Sequence, residues 1–207
     1  PGPDTLPKVS NLSGQDNGRE SGPAESGPEP GQGTTASERM LVNAAHTLCA
    51  LKRTLKSDVG YFERELTYRA GLEMFNCYIC RESDQADHTD TGALLEHLVN
   101  LFASDGLGTF EIVKYDEAEK LMELTCPDSL EAVGYISHGE KQDSPSCSFI
   151  CGLLAGVGKH AFRIPDCEGP NEIVATEVTC VSEGGAHCRF LVGKRSKLEA
   201  LGHRVDL

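Results

Sequence analysis

The chain has 207 residues, a formal net charge of −13, 39% hydrophobic residues and no tryptophan. That length leaves room for one domain of ordinary size beside some unstructured sequence, not for two full domains. The acidity repels a phosphate backbone over most of the surface, which argues against nucleic-acid binding, and no stretch approaches the roughly 18 apolar residues a membrane span needs.

Residues 1–36 are dense in Gly, Pro, Ser and Glu and nearly lack large apolar side chains. Ordering a backbone costs roughly 1–2 kcal/mol per residue, which so little burial cannot offset, so a disordered tail or linker is expected. The chain opens on Pro1 and not on methionine, so a fragment or processed chain is expected.

From Ser37 the pattern changes. Met40, Ala44, Leu48, Leu51 and Leu55 recur at helical spacing, which predicts a helix capped by Ser37 with these residues on its buried face. A second helix is predicted from Asp58 to about Phe75, with Phe62, Leu66 and Ala70 on one face. The polar stretch RESDQADHTDT reads as a loop whose Asp87, His88 and Asp90 are solvated. A third helix carries Leu94, Leu95, Leu98, Leu101 and Phe102 and stops at Asp105-Gly106.

The period then shortens. Thr109 to Tyr115 and Lys120 to Cys126 alternate as paired strands across the turn DEAE. DSLEAVGYI predicts a short helix, CSFICGLLAGVGKHAF a longer buried one, and EIVATEVTCV with AHCRFLVG a final hairpin. Helices first, then antiparallel strands with intervening helices, give an α+β domain: N-terminal helices packed on a twisted antiparallel sheet. Residues 194–207, beginning in the short basic run GKRSK, read as a C-terminal extension.

GLLAGVGKH, from Gly152 to His160, is not a phosphate-binding loop: the required first glycine position holds Leu153, and His160 stands where a hydroxyl should hold magnesium. Its glycines are expected to let this helix pack closely on a neighbour. Cys77 and Cys80 form a CxxC pair, but no second CxxC completes four ligands and no strand precedes it, so they read as core or boundary thiols. Nine cysteines is an odd number, and with no secretory signal in view reduced thiols in a cytoplasmic protein are expected, as core filler or metal ligands.

In EVTCVSEGGAHCRFL, Cys180 and Cys188 lie four residues to either side of Gly184. Opposed in a hairpin, their Cβ atoms would stand roughly 4.5–5.5 Å apart, which suits a shared metal and, after modest adjustment, a disulfide. Glu177 lies three residues from Cys180 and would face the other way in a regular strand, so its convergence requires a bulge or strong twist. His187, next to Cys188, points away. A fourth ligand is available from Cys147 or Cys151, and zinc is the natural ion for thiolates with one carboxylate.

The order DSLEA, DSPSCSFICGLLAG, EVTCVSEGGAHCRFLVG resembles the 4-vinyl reductase domain family, also described as predicted hydrocarbon-binding domains. It is similar to the sensory module of phenol- and xylene-responsive activators and, more remotely, to vesicle-tethering subunits of the Bet3 type. The likeness spans roughly residues 40–193. It implies a structural zinc held by Cys147, Glu177, Cys180 and Cys188, with Cys147 preferred to Cys151 because it stands five residues before Gly152. The span from Cys147 to Glu177 is longer here than in the aromatic sensors, around PDCEGPNE.

The resemblance further implies an apolar pocket between the helices and the concave face of the sheet. Phe110, Ile112, Leu130, Phe149 and Leu154 are candidate lining, positions that plain core fills equally well. The phenol sensors carry a tryptophan where this chain has Leu130, so phenol recognition itself is not implied. Three functions follow: a sensor or carrier of a small hydrophobic or aromatic ligand, a vinyl reductase or accessory protein of tetrapyrrole synthesis, or a dimeric interaction scaffold. A reductase needs a hydride donor, and neither G-x-G-x-x-G after a strand nor a flavin signature is present, so a non-catalytic ligand-binding domain (37–193) that forms a homodimer is expected.

Overall fold

A computed structural model describes residues 36–82, 90–164, 169 and 172–203, with side chains of 36–43 and 80–82 excepted. The expected tail, the loop bearing Asp87 and His88, the side chains of Ser37, Met40 and Cys80, and most of PDCEGPNE lie outside the described residues.

Two long helices come first, α1 (Ala36–Val59) and α2 (Phe62–Glu82), followed by α3 (Thr91–Ser104). Gly60 turns the chain between the first two at φ +65°, a left-handed value that costs glycine little. Asp90 starts α3, its Oδ1 accepting from Gly92 N–H at 3.0 Å. Strands β1 (Glu111–Asp116) and β2 (Leu121–Cys126) lead to α4 (Leu130–Ser137) and α5 (Ser148–Ala161). Strands β3 (Ile173–Thr179) and β4 (Cys188–Lys194) follow, joined through a single 3-10 turn at Val181–Glu183, and α6 (Arg195–Ala200) comes last. The expected α+β architecture is what the chain adopts.

The sheet is antiparallel throughout, in the order β1-β2-β4-β3. Strand periodicity sorts its residues between two faces. Met122, Leu124 and Cys126, with Phe190, Val192, Ile173 and Ala175, belong to the main core shared with the helices. Val174 and Leu191 turn to the other face, where fully buried Leu198 of α6 covers them.

Helix α5 runs through the middle of the core because its glycines remove obstacles. A Cβ on Gly152 would lie 1.8 Å from the Tyr68 carbonyl oxygen of α2, and one on Gly71 of α2 would lie 1.9 Å from the Phe149 carbonyl oxygen. The two helices therefore meet backbone to backbone, as the glycine content of GLLAGVGKH predicts.

The faces of α1 and α2 depart from the expectation. Leu51 is 51% exposed, Phe62 48% and Leu66 45%, and Ala44 and Ala70 are also exposed. Among the described residues the buried ones are Ala45, Cys49 and Lys52 on α1 and Glu63, Thr67, Tyr68, Gly71, Phe75 and Tyr78 on α2. The reason is steric. Helix α4 approaches α1 so closely that a Cβ on Gly134 would stand 2.4 Å from Cys49 Sγ, a fit that small residues permit and leucines block. Among the described residues no helix is long and apolar enough to cross a membrane.

Gly152→Ala is expected to destabilise the protein by about 3 kcal/mol or more, since the new methyl group meets backbone rather than a movable side chain. Gly139→Ala, with open space around it but a left-handed φ, should cost only about 1–2 kcal/mol. Thermal or denaturant unfolding of the two variants checks the difference.

Candidate metal centre

Three separate segments deliver the candidate ligands to one place. Cys147 is the residue immediately before α5, not a residue inside the helix, so its side chain leaves the helix axis at the N-terminus. Glu177 lies on the core-facing side of β3, paired across the ladder with Phe190. The register of β3 on β4 then slips between Glu177 and Thr179, so Val178 is an extra residue. That bulge is what the spacing of Glu177 and Cys180 requires: it resets the alternation and returns Cys180 to the face that Glu177 occupies. Cys188 opens β4, pairs with Cys126 on its other side, and follows the turn that Gly184 closes at φ +100°.

The resulting group is tight and dry. Cys147, Glu177, Cys180 and Cys188 are all buried, and one ligand atom from each lies within 4.8 Å of the others. The sulfurs stand 3.9 Å (Cys147 to Cys180), 3.8 Å (Cys147 to Cys188) and 3.7 Å (Cys188 to Cys180) apart, contact distances and not bonds. Cys151, one turn further along α5, is buried but falls outside the group. Exposed His187 also lies outside it.

Polar groups surround the sulfurs. Ser129 Oγ is 3.3 Å from Cys147 Sγ, Ser182 Oγ 3.0 Å and Ser146 Oγ 3.6 Å from Cys180 Sγ, and the Val181 N–H donates to Cys188 Sγ at 3.4 Å. Each is positioned to donate to a thiolate. The serines next to the ligands in SPSCS and CVS were the only sequence signal for them, and serine is too common in loops for that signal to single them out.

Glu177 shows what the group lacks. Its Oε2 accepts from the Cys147 N–H at 2.8 Å, while Oε1 is the one buried side-chain oxygen or nitrogen without a partner among the described residues. An orphaned buried carboxylate oxygen costs roughly 1–3 kcal/mol or more unless something satisfies it. Burial, and then the Cys180 thiolate, push this carboxyl up to about 8. Hydrogen bonds from Cys147 and Cys188 favour the thiolate of Cys180, whereas burial holds the Cys147 thiol well above its ordinary value. The donor set and the unpartnered oxygen together fit a divalent ion.

The five candidate pocket residues belong to the main core. Leu154 is fully buried and Phe110 6% exposed, its ring 6.0 Å from that of Phe102 and 6.1 Å from that of Phe190. Ile112, Leu130 and Phe149 are partly buried and pack against the same core.

No protein-family model and no curated protein sequence matches the chain. Solved structures do. The phenol-responsive sensory domain of the transcription activator PoxR, with phenol, superposes with a TM-score of 0.62 at 19% identity, covering 78% of this chain and 82% of that one. The two share a fold. A trafficking protein particle complex subunit 3 from Naegleria fowleri, covalently bound to palmitic acid, superposes at a TM-score of 0.52 and 10% identity, covering 76% of this chain and 96% of that one. The expected kinship in architecture with phenol sensors and Bet3-type subunits is met at the level of the fold.

Ion binding must displace the protons of Glu177 and of the Cys147 and Cys188 thiols, all held above their ordinary values, so affinity for zinc or cobalt is expected to climb with pH, most steeply below about 8. A competition titration against a chromophoric chelator from about pH 6 to pH 9 measures it. Glu177→Gln, with no proton to lose, should bind more weakly and flatten that part of the profile.

Proposed function

We propose that the chain is a non-catalytic domain that senses or carries a small hydrophobic or aromatic molecule, braced by a structural zinc ion. The fold shared with a phenol-responsive sensory domain carries this reading. The palmitate-bound neighbour supports an apolar cargo, since two domains of this architecture hold apolar molecules of very different shape.

Zinc takes Cys147, Cys180, Cys188 and a Glu177 oxygen in tetrahedral geometry, the arrangement that three soft sulfurs and one carboxylate favour. Four protein ligands leave no position for a reactive water, so the ion is structural. It ties the start of α5 to the β3–β4 hairpin and stiffens that wall of the core. Phe110, Ile112, Leu130, Phe149 and Leu154 are the proposed ligand contacts, between the helices and the sheet. Residues 37–193 form the binding unit, residues 1–36 a linker, and 194–207 an extension whose Leu198 anchors it to the sheet.

We further propose a homodimer through α1 and α2. Leu51 and Val59 on α1, and Tyr61, Phe62 and Leu66 around the start of α2, are large apolar side chains left exposed among the described residues, and a second copy would bury them. The acidity disfavours nucleic acid as partner, and the free thiols among the described residues, Cys49, Cys77, Cys126, Cys147, Cys151, Cys180 and Cys188, suit a reducing cytoplasm.

Protein purified without a metal-affinity step should carry about one zinc per chain by elemental mass spectrometry. Chelation should lower its melting temperature by roughly 10 °C, as expected for about 4 kcal/mol of linked binding in a chain of this size. Cys180→Ser should carry no zinc. Thermal shifts with a panel of phenols and fatty acids test the cargo: stabilisation by one class supports the sensor, and no shift from any class overturns it. Bound flavin absorbance would favour the reductase instead. Phe62→Asp combined with Leu66→Asp should convert a dimer to a folded monomer in sedimentation equilibrium, and a monomeric parent protein would end the dimer proposal.

A further inference from the structure

Next to the metal centre lies a buried ion pair that neither a ligand pocket nor a zinc site requires. Lys52 is 2% exposed, and its Nζ stands 2.6 Å from Glu131 Oε1. The same ammonium donates to Ser148 Oγ at 2.8 Å and to the Ser146 carbonyl, with Glu63 Oε1 at 3.5 Å. Fully buried Glu131 uses its other oxygen to accept from the Ile150 N–H at 2.9 Å. Thr67 Oγ1 reaches Ser148 Oγ at 2.7 Å and so adds α2 to the contact.

These bonds fall in a pattern along the chain. The pair from α1 and α4 holds residues 146, 148 and 150, and between them stands Cys147, whose own N–H goes to Glu177. The Ser146 carbonyl, the Ser148 hydroxyl and the N–H groups of Cys147 and Ile150 are all held on the segment that turns into α5, which restricts where the Cys147 sulfur can point. Stability alone does not account for such a device, because a buried ion pair replaced by apolar side chains of similar size is often neutral or better. Orientation of one ligand does account for it.

We infer that Lys52 and Glu131 are positioning residues for the metal centre, aiming the Cys147 thiolate and coupling the docking of α1 to metal occupancy. The inference rests on the zinc reading above. Coupling is reciprocal: if a docked α1 tightens metal binding, bound metal firms α1 by the same factor. Lys52 shares α1 with exposed Leu51, so the coupling runs from the metal-braced wall to the apolar face proposed for the dimer.

The test uses the full chain, as wild type, as the double variant Lys52→Met with Glu131→Leu, and as Glu131→Gln. The double variant removes both charges and leaves neither buried alone. Zinc and cobalt affinities are measured by chelator competition, with cobalt absorption reporting thiolate ligation. Amide hydrogen exchange in residues 45–56 is followed with and without zinc. The double variant should keep its circular dichroism yet bind metal about 10–100-fold more weakly, the usual effect of losing a ligand's supporting partner. Zinc should slow exchange in α1 of the wild type and fail to do so in the variant.

Affinity within about twofold of wild type, with the α1 response intact, would overturn the inference and leave the pair as packing only. If the double variant does not fold, Glu131→Gln is read in the same way: weakened affinity supports the coupling, and unchanged affinity overturns it. A wild type that takes up no thiolate-bound metal overturns the zinc reading and this one together, whereas normal uptake with indifferent variants overturns this one alone.

Discussion

Three sulfurs and a carboxylate crowded into a space a few ångströms across, out of reach of water, repel one another as anions and are poorly paired as neutral groups. The fold nevertheless converges on that spot. The N-terminus of α5, the bulge in β3 and the first residue of β4 each supply one part of it, and the serines around it are placed to donate to sulfur. A divalent cation would turn the repulsion into a cross-link between the central helix and the hairpin, which already share the hydrogen bond from the Cys147 N–H to Glu177.

The same helix explains why that cross-link matters for the core. Helix α5 has almost no exposed surface and touches α2 through glycines on both partners, so it cannot shift without disturbing the backbone of its neighbour. An ion at its N-terminus would therefore fix the position of Leu154 in the core and of Phe149 packed against it. Two neighbours share the architecture at low identity, one with phenol and one covalently bound to palmitic acid, and a shared fold does not by itself assign a shared function.

Polar chemistry inside the helical layer adds a second constraint. Lys52, Glu131, Thr67 and Ser148 join α1, α2, α4 and α5 at one point, with every strong donor and acceptor satisfied. This point selects which face of α1 and α2 turns inward and leaves a row of large apolar side chains outside.

Much of this was legible in the sequence because it depends on local rules. Strand alternation in KLMELTC, the leucine periodicity of α3 and the glycines of α5 each identify an element without reference to the rest, whereas the Asp90 cap, read as a solvated loop residue, was not recognised. Cysteine is chemically distinct, so Cys180 and Cys188 stood out by their placement about Gly184, whereas Glu177 would face away in a regular strand and joined the set through the family resemblance. The orientation of α1 and α2 was not legible: hydrophobic periodicity points to Leu51, Phe62 and Leu66, whereas close packing against Gly134 and a buried lysine chose the opposite faces. Nor did spacing decide between Cys147 and Cys151, which share one stretch of chain; only the direction in which α5 begins, set by partners far away in sequence, brings the first to the cluster and leaves the second in the core. Residue chemistry and period are properties of neighbours along the chain, and the choice among chemically equivalent faces and ligands belongs to contacts that exist only once distant segments have met.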